Sequence, residues 1–192
     1  MDILPESNLS FFEKITKFRL LYVENEVIAN SFQKSPIFRA YDFFLKYCKM
    51  ITVTSCNFSD KEQCQKIFNI RTNVFVEEQQ VSRAEEFDDF EESSLHYLAC
   101  INGIPAGTAR WRITKNGIKL ERFAVLVEMR KKGVAAEVLA RVLKDVAPLG
   151  TRIYLHAQVT AIGFYEKYGF KKEGPMFSEA NIDHYTMFYP VK

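Results

Sequence analysis

Between Leu120 and Val146 the spacing of apolar residues changes from a continuous run to a repeat of four. Phe123-Ala124-Val125-Leu126-Val127 is unbroken and predicts a buried strand. Val134, Val138, Val142 and Val146 then recur every four residues, with Leu139 and Leu143 beside them, which predicts an amphipathic helix starting near Gly133. Arg130-Lys131-Lys132-Gly133 joins the two. The first N–H groups of a helix have no partner inside it, and the helix dipole places positive charge there. Gly133 lets the backbone approach a ligand closely, and the three preceding cations add charge. This strand, turn and helix therefore suit a phosphate or pyrophosphate.

The same patterning extends in both directions. Ile51 to Ser55 has the β-branched content of a strand. Ser59 and Glu62 form a capping box before Cys64, Ile67, Ile70 and Val74, predicting a helix from about Asp60 to Val76. His96 to Ile101 and Ala106 to Ile113 read as strands joined by an Asn102-Gly103 hairpin turn. Alternation puts Arg110 and Arg112 on one face and Trp111 on the other. Asn116-Gly117 turns the chain into the strand Ile118 to Val127. Pro148-Leu149-Gly150 ends the long helix, and Arg152 to Ala157 makes the next strand. Ala161 to Tyr168 is a short helix stopped by Gly169, and Phe170 re-enters a strand. Glu173-Gly174-Pro175 reads as a turn, and His184 to Tyr189 as the last strand. The expected order is β-α-α-β-β-β-α-β-α-β-β, an antiparallel meander that reaches the pivotal strand at its centre.

Ahead of this, Ser10 and Glu13 make a capping box before Phe11, Ile15, Phe18 and Tyr22, and Ser35-Pro36 marks a fresh helix start. Residues 10–49 read as a helical hairpin with an aromatic seam, so the chain divides into an N-terminal helical extension, 1–50, and a main domain, 51–192. The hairpin is expected to pack on the main domain or on a second copy of the chain as a homodimer.

Composition narrows the partners. The 192 residues have 47% hydrophobic and 26% charged content and a net charge of +2, which disfavours nucleic acid or a membrane surface as the main partner. Cys48, Cys56, Cys64 and Cys100 form no CxxC pair and read as reduced thiols. There is no basic leader, and no apolar run approaches about 18 residues. A soluble, cytoplasmic protein is expected. His, Cys and acidic residues show no metal-binding spacing, so no metal is expected.

Two segments carry a family resemblance. Arg130-x-x-Gly133-x-Ala135 resembles the acyl-CoA-binding signature Arg/Gln-x-x-Gly-x-Gly/Ala of the GNAT family of N-acetyltransferases. Ala161-Ile162-Gly163-Phe164-Tyr165-Glu166-Lys167-Tyr168-Gly169-Phe170 resembles a second family segment in the expected order. Val74-Phe75-Val76-Glu77-Glu78-Gln79 is similar to the VFV-x-EQ segment of small bacterial acetyltransferases. The resemblance covers roughly Ile51 to the C-terminus. It implies the α/β (α+β) GNAT fold, a central mixed, mostly antiparallel sheet flanked by helices. It also implies acetyl-CoA as cosubstrate and an amine as acceptor.

What the family implies for individual residues follows the motifs. The central strand and the strand Arg152 to Ala157 would splay apart around the pantetheine arm. Backbone groups of Phe123, Ala124 and Val125 would meet that arm, and Arg130, Lys131, Lys132, Gly133, Val134, Ala135 and Ala136 would hold the diphosphate. Gln158 stands where many members carry a cofactor-contacting asparagine. Tyr165 stands where the family often carries a general acid, and the departing thiolate needs such a proton source. The acceptor amine must lose a proton, because a lysine-like amine has a reference pKa of about 10.4. Glu121, His156 and Glu78 are the candidate bases; the structural alternatives are Glu121 and Glu78 as partners of Arg110 or Arg122, and His156 as a hydrogen-bonded strand residue. The acid-rich stretch Glu77 to Glu92 reads as a solvated face, or as a rim that attracts a cationic amine. The leading expectation is an N-acetyltransferase, with a catalytically inactive acyl-CoA-binding regulatory module as the alternative.

Overall fold

A computed structural model describes residues 50–190, and the helical hairpin expected over residues 10–49 lies outside the described residues. The chain runs β1 (Ile51–Cys56), α1 (Lys61–Arg71), a π-helical segment (Thr72–Glu78), α2 (Arg83–Glu86), β2 (Leu95–Ile101), β3 (Ile104–Thr114) and β4 (Gly117–Val125). Then come α3 (Val134–Val146), β5 (Ile153–Gln158), α4 (Ile162–Lys167), β6 (Lys171–Glu179) and β7 (Ile182–Tyr189). Seven strands form one sheet in the order β1-β2-β3-β4-β5-β7-β6. Among the described residues only the β4/β5 pair is parallel.

Alternation along β2 explains why helices cover both faces. Tyr97, Ala99 and Ile101 join the core beneath α3, which buries Val134, Val138, Leu139, Val142 and Val146. Leu98 points the other way, into a second core with Cys64, Ile67 and Ile70 of α1. Fully burying side chains of this size stabilises by roughly 1.5–3 kcal/mol each. Asn102 and Gly103 both take positive φ, 52° and 84°, as the two-residue turn between β2 and β3 demands. Gly107 on β3 has a different purpose. A Cβ there would lie 2.8 Å from Val134 Cγ1 and 2.9 Å from the Ala124 carbonyl. The first turn of α3 thus rests on the sheet at a point where a side chain leaves no room.

Four local expectations are corrected. The cap of α1 is Asp60, which accepts from the Gln63 amide, one residue later than the Ser59/Glu62 reading. The predicted helix to Val76 is α-helical only to Arg71 and then widens, with the Gln79 amide bonded to the Val74 carbonyl. The buried strand ends at Val125, and Val127 sits in a 3-10 turn, 67% exposed. Glu173-Gly174-Pro175 is a bulge within β6, and the turn into β7 is made by Ala180 and Asn181, both at positive φ. Short polar stretches do not distinguish a bulge from a turn by composition.

Candidate active site

β4 and β5 pair only from Ile118/Ile153 to Leu120/Leu155. Beyond Leu120, β4 has no strand on its β5 side, while β5 continues alongside β7 to Gln158. The divergence has a local cause. On β4, Arg122 and Phe123 stand opposite the single residue Ala109 of β3, a bulge that bends and twists the strand. Arg122 holds a left-handed φ of 58°, at a cost of roughly 1–2 kcal/mol. Its side chain is gripped by the Glu85 carbonyl and the Asp88 carboxylate, at 2.9 and 3.2 Å.

Two cavities open into this gap. A cleft of about 460 Å³ lies toward the π-helical segment and the β6–β7 hairpin, bordered by Gln79, Glu121, His156, Gln158 and Glu179. A narrower groove of about 240 Å³ runs along Ala124 and Val125 to Arg130 and Ala135. Both are lined by Phe123, Ala161 and Tyr165. The Tyr165 side chain therefore stands where cleft and groove meet. Phe123, Phe164 and Phe170 surround its ring edge-on, at 6.1, 5.1 and 5.6 Å. Burial pushes its phenol well above the ordinary tyrosine range, so it keeps its proton at neutral pH.

At the far end of the groove α3 begins at Gly133, with φ 88° and no side-chain cap. Lys131 also has a left-handed φ, 58°, and Lys131, Lys132 and Gly133 are exposed. The amides of Val134, Ala135 and Ala136 form the uncapped first turn. Val134 contributes backbone only, because its side chain is buried in the core. Arg130 faces inward. Its guanidinium forks onto the Glu78 carboxylate, and Nε donates to the Val125 carbonyl at 3.0 Å.

The candidate bases differ in their surroundings. Glu121 receives Arg110 at 2.7 Å, Arg112 at 2.8 Å and Lys119 at 3.3 Å. Burial raises its carboxyl pKa, but the three cations outweigh it and the group stays below the usual range. Glu78 is likewise lowered by its bond from Arg130. A carboxylate held ionised in this way is a weak proton acceptor. His156 instead borders the cleft, with Nδ1 2.9 Å from Glu179 Oε2. Gln158 donates to Gln79 at 2.8 Å, so its amide is engaged across the cleft.

The acid-rich stretch is divided: Glu77, Glu78, Glu85, Asp89 and Glu92 are exposed, while Glu86, Asp88 and Glu91 turn onto arginines. Glu86 and Glu91 are buried, and both grip Arg71, which is itself fully buried. Asp88 forks with Arg110 at 2.7 Å through both oxygens. These arginines take up the charge of Glu86, Asp88 and Glu91, and Arg130 that of Glu78, so only part of the acidic stretch is left to draw in a cation. Glu179, the Gln79 contact and this buried network were missed by sequence reasoning. The alternation of Arg110 and Arg112 opposite an acidic run was the available signal. Among the described residues, no three His, Cys, Asp or Glu side chains group to hold a metal ion, and no helix is long and apolar enough to cross a membrane.

Comparison with known proteins adds to this geometry. The family model for the acetyltransferase (GNAT) domain matches residues 59–189. An uncharacterized N-acetyltransferase of Bacillus subtilis (strain 168), YjcF, is 36% identical over 133 residues, covering 67% of this chain and 93% of that protein. The fold is shared with an acyl-CoA N-acyltransferase from Pseudomonas aeruginosa, at TM-score 0.66 and 23% identity over 73% of this chain and 100% of that one. It is also shared with an aminoglycoside 6'-N-acetyltransferase complexed with coenzyme A, at TM-score 0.58 and 15% identity over 73% of this chain and 97% of that one.

Proposed function

The chain belongs to the GNAT acetyltransferase family and is an acyltransferase, and from that premise we propose that it transfers the acetyl group of acetyl-CoA to a primary amine of a small molecule or protein. The observation that carries this reading is the meeting of two cavities at Tyr165, one ending on an uncapped helix start and the other bordered by Gln79, His156 and Gln158.

The residues present fit the cosubstrate. The uncapped amides of Val134, Ala135 and Ala136 would hold its diphosphate, Lys131 and Lys132 would add charge, and Gly133 leaves the approach clear. The groove beside Phe123, Ala124 and Val125 would take the pantetheine arm, with the Val125 carbonyl already accepting from Arg130. Coenzyme A in the aminoglycoside acetyltransferase is in keeping with this assignment. When bound, acetyl-CoA supplies an activated acetyl group. Tyr165 holds a proton at the junction, where a departing thiolate needs one. The acceptor enters from the larger cleft, whose polar wall includes Gln79, Gln158 and His156.

The test is release of free thiol from acetyl-CoA across a panel of polyamines, aminosugars, peptides with free N-termini, benzylamine and hydroxylamine. Release that requires both the amine and the protein, above the rate of the amine with acetyl-CoA alone, supports transfer. Calorimetric binding of acetyl-CoA without release on any amine points to the regulatory module instead.

A further inference from the structure

Glu179 ends β6 at the tight turn Ala180-Asn181, and its Oε2 lies 2.9 Å from Nδ1 of His156 on β5. The two residues are 23 apart in the chain. Strand register alone does not pair them: His156 faces Thr186 on β7 and Thr186 faces Glu173 on β6, whereas Glu179, past the bulge between Glu173 and Phe177, faces Ile182, and its side chain makes the contact. Phe177 packs edge-on against the His156 ring at 4.8 Å and stacks on His184 at 5.9 Å. The imidazole is thus held on one side by an ion and on another by an aromatic face.

We infer that Glu179 is a positioning residue and that His156 takes the proton from the acceptor's ammonium group. This rests on the N-acetyltransferase reading above. The hydrogen bond from His156 holds the Glu179 carboxyl down to about 2, so it is ionised and only accepts. Nδ1 must therefore be the donor, and in the neutral ring Nε2 carries the lone pair. The step breaks one N–H bond of the acceptor and forms one at Nε2. The imidazolium that results is stabilised by Glu179 and later returns its proton to water. The other candidate carboxylates are engaged: Glu121 by three cations, Glu78 by Arg130. The charged and titratable groups around the pair are Lys119 and Glu121 on β4, Tyr154 on β5 and His184 on β7. His184 donates its own Nδ1–H to the Ile182 carbonyl at 2.7 Å, which leaves His156 as the ring bonded to the carboxylate.

The experiment compares the full chain with His156→Gln and Glu179→Gln, using benzylamine, protonated at neutral pH, and hydroxylamine, which is not. His156→Gln is expected to lower kcat/KM about 100-fold with benzylamine and far less with hydroxylamine, with acetyl-CoA affinity unchanged. Glu179→Gln leaves the ring without its ionised partner, so kcat/KM is expected to fall with benzylamine and far less with hydroxylamine, with acetyl-CoA affinity unchanged. Glu179 is half exposed, and this variant keeps the fold. Equal losses on both amines in His156→Gln, or wild-type rates with benzylamine in Glu179→Gln, overturn the assignment while leaving transfer intact. A wild-type chain that binds acetyl-CoA but acetylates neither amine nor any other in the panel overturns both readings.

Discussion

Gln79 and Gln158 are 79 residues apart in the chain, yet Gln158 Nε2 donates to Gln79 Oε1 at 2.8 Å. The contact ties the end of the π-helical segment to the end of β5, and both residues border the larger cleft. One residue earlier, Glu78 is held by Arg130 from the loop before α3. The π-helical segment is therefore fastened to two elements that frame the junction at Tyr165. A π-helical stretch often marks a functional position, and here it sets two consecutive polar side chains toward different partners.

Removing the amide bridge is expected to loosen the acceptor side alone. A neutral side-chain hydrogen bond is worth about 1 kcal/mol, so Gln79→Ala should raise the KM for the amine several-fold. Acetyl-CoA affinity, measured by calorimetry, should stay within error of the wild type. A weakened cosubstrate affinity with unchanged amine KM would place Gln79 on the other side of the junction.

At Gly133 the backbone, not the space, restricts substitution. A Cβ would meet only Ile51 Cδ1, at 3.7 Å, but φ is 88°. Gly133→Ala is therefore expected to lower stability by about 1 kcal/mol and to keep acetyl-CoA binding. Gly133→Glu adds a negative charge beside the uncapped amides and should abolish binding while circular dichroism shows a folded chain. Wild-type affinity in Gly133→Glu would remove the diphosphate from this corner.

The frame of the fold was legible because it is written in period. Val134 to Val146 buries the residues that its repeat of four selects, and Asn102-Gly103 makes the turn that its sequence demands. The parallel contact of β4 with β5 and its early end depend on pairing between distant segments, which no local pattern encodes. Arg122 and Phe123 gave no sign of a bulge, since neither residue favours the conformation required. For the site, motif spacing located Tyr165 and the α3 start, but side-chain partners were hidden. Glu86 and Glu91 looked like solvated acids because the arginines that bury them lie on α1 and β3. Glu179 was invisible because its contact with His156 joins side chains 23 residues apart across the β6 bulge, which the composition reads as a turn.

Tyr165→Phe tests the acid without disturbing the packing. The ring keeps its contacts with Phe123, Phe164 and Phe170 and loses only the hydroxyl. Loss of a general acid costs roughly 10²–10⁴-fold, so kcat should fall by about that factor with little change in KM. Thermal stability should be close to wild type. A variant with full turnover would leave Tyr165 as part of the wall.

Acid should unfasten the domain from its buried arginines. Burial raises the Asp88 carboxyl, but the fork from Arg110 more than offsets this and brings it to about 2. Glu91 is also raised by burial and lowered further by Arg71 and Arg110. A carboxyl whose folded pKa is depressed adds stability above its unfolded value, near 3.8 for Asp88, and loses it as pH falls toward the folded value. Asp88 alone contributes up to about 2 kcal/mol before solvent screening reduces it. Denaturant unfolding should therefore show stability falling between about pH 4 and pH 2. Asp88→Asn should flatten that fall, because the neutral amide has no proton to gain. It should also start lower at neutral pH, since Arg110 is fully buried and would lose a partner that Glu91 and Glu121 replace only in part. Parallel pH curves for the wild type and Asp88→Asn would mean that the carboxylate titrates alike in the folded and unfolded chains, and the Arg110 fork would then add nothing to folding.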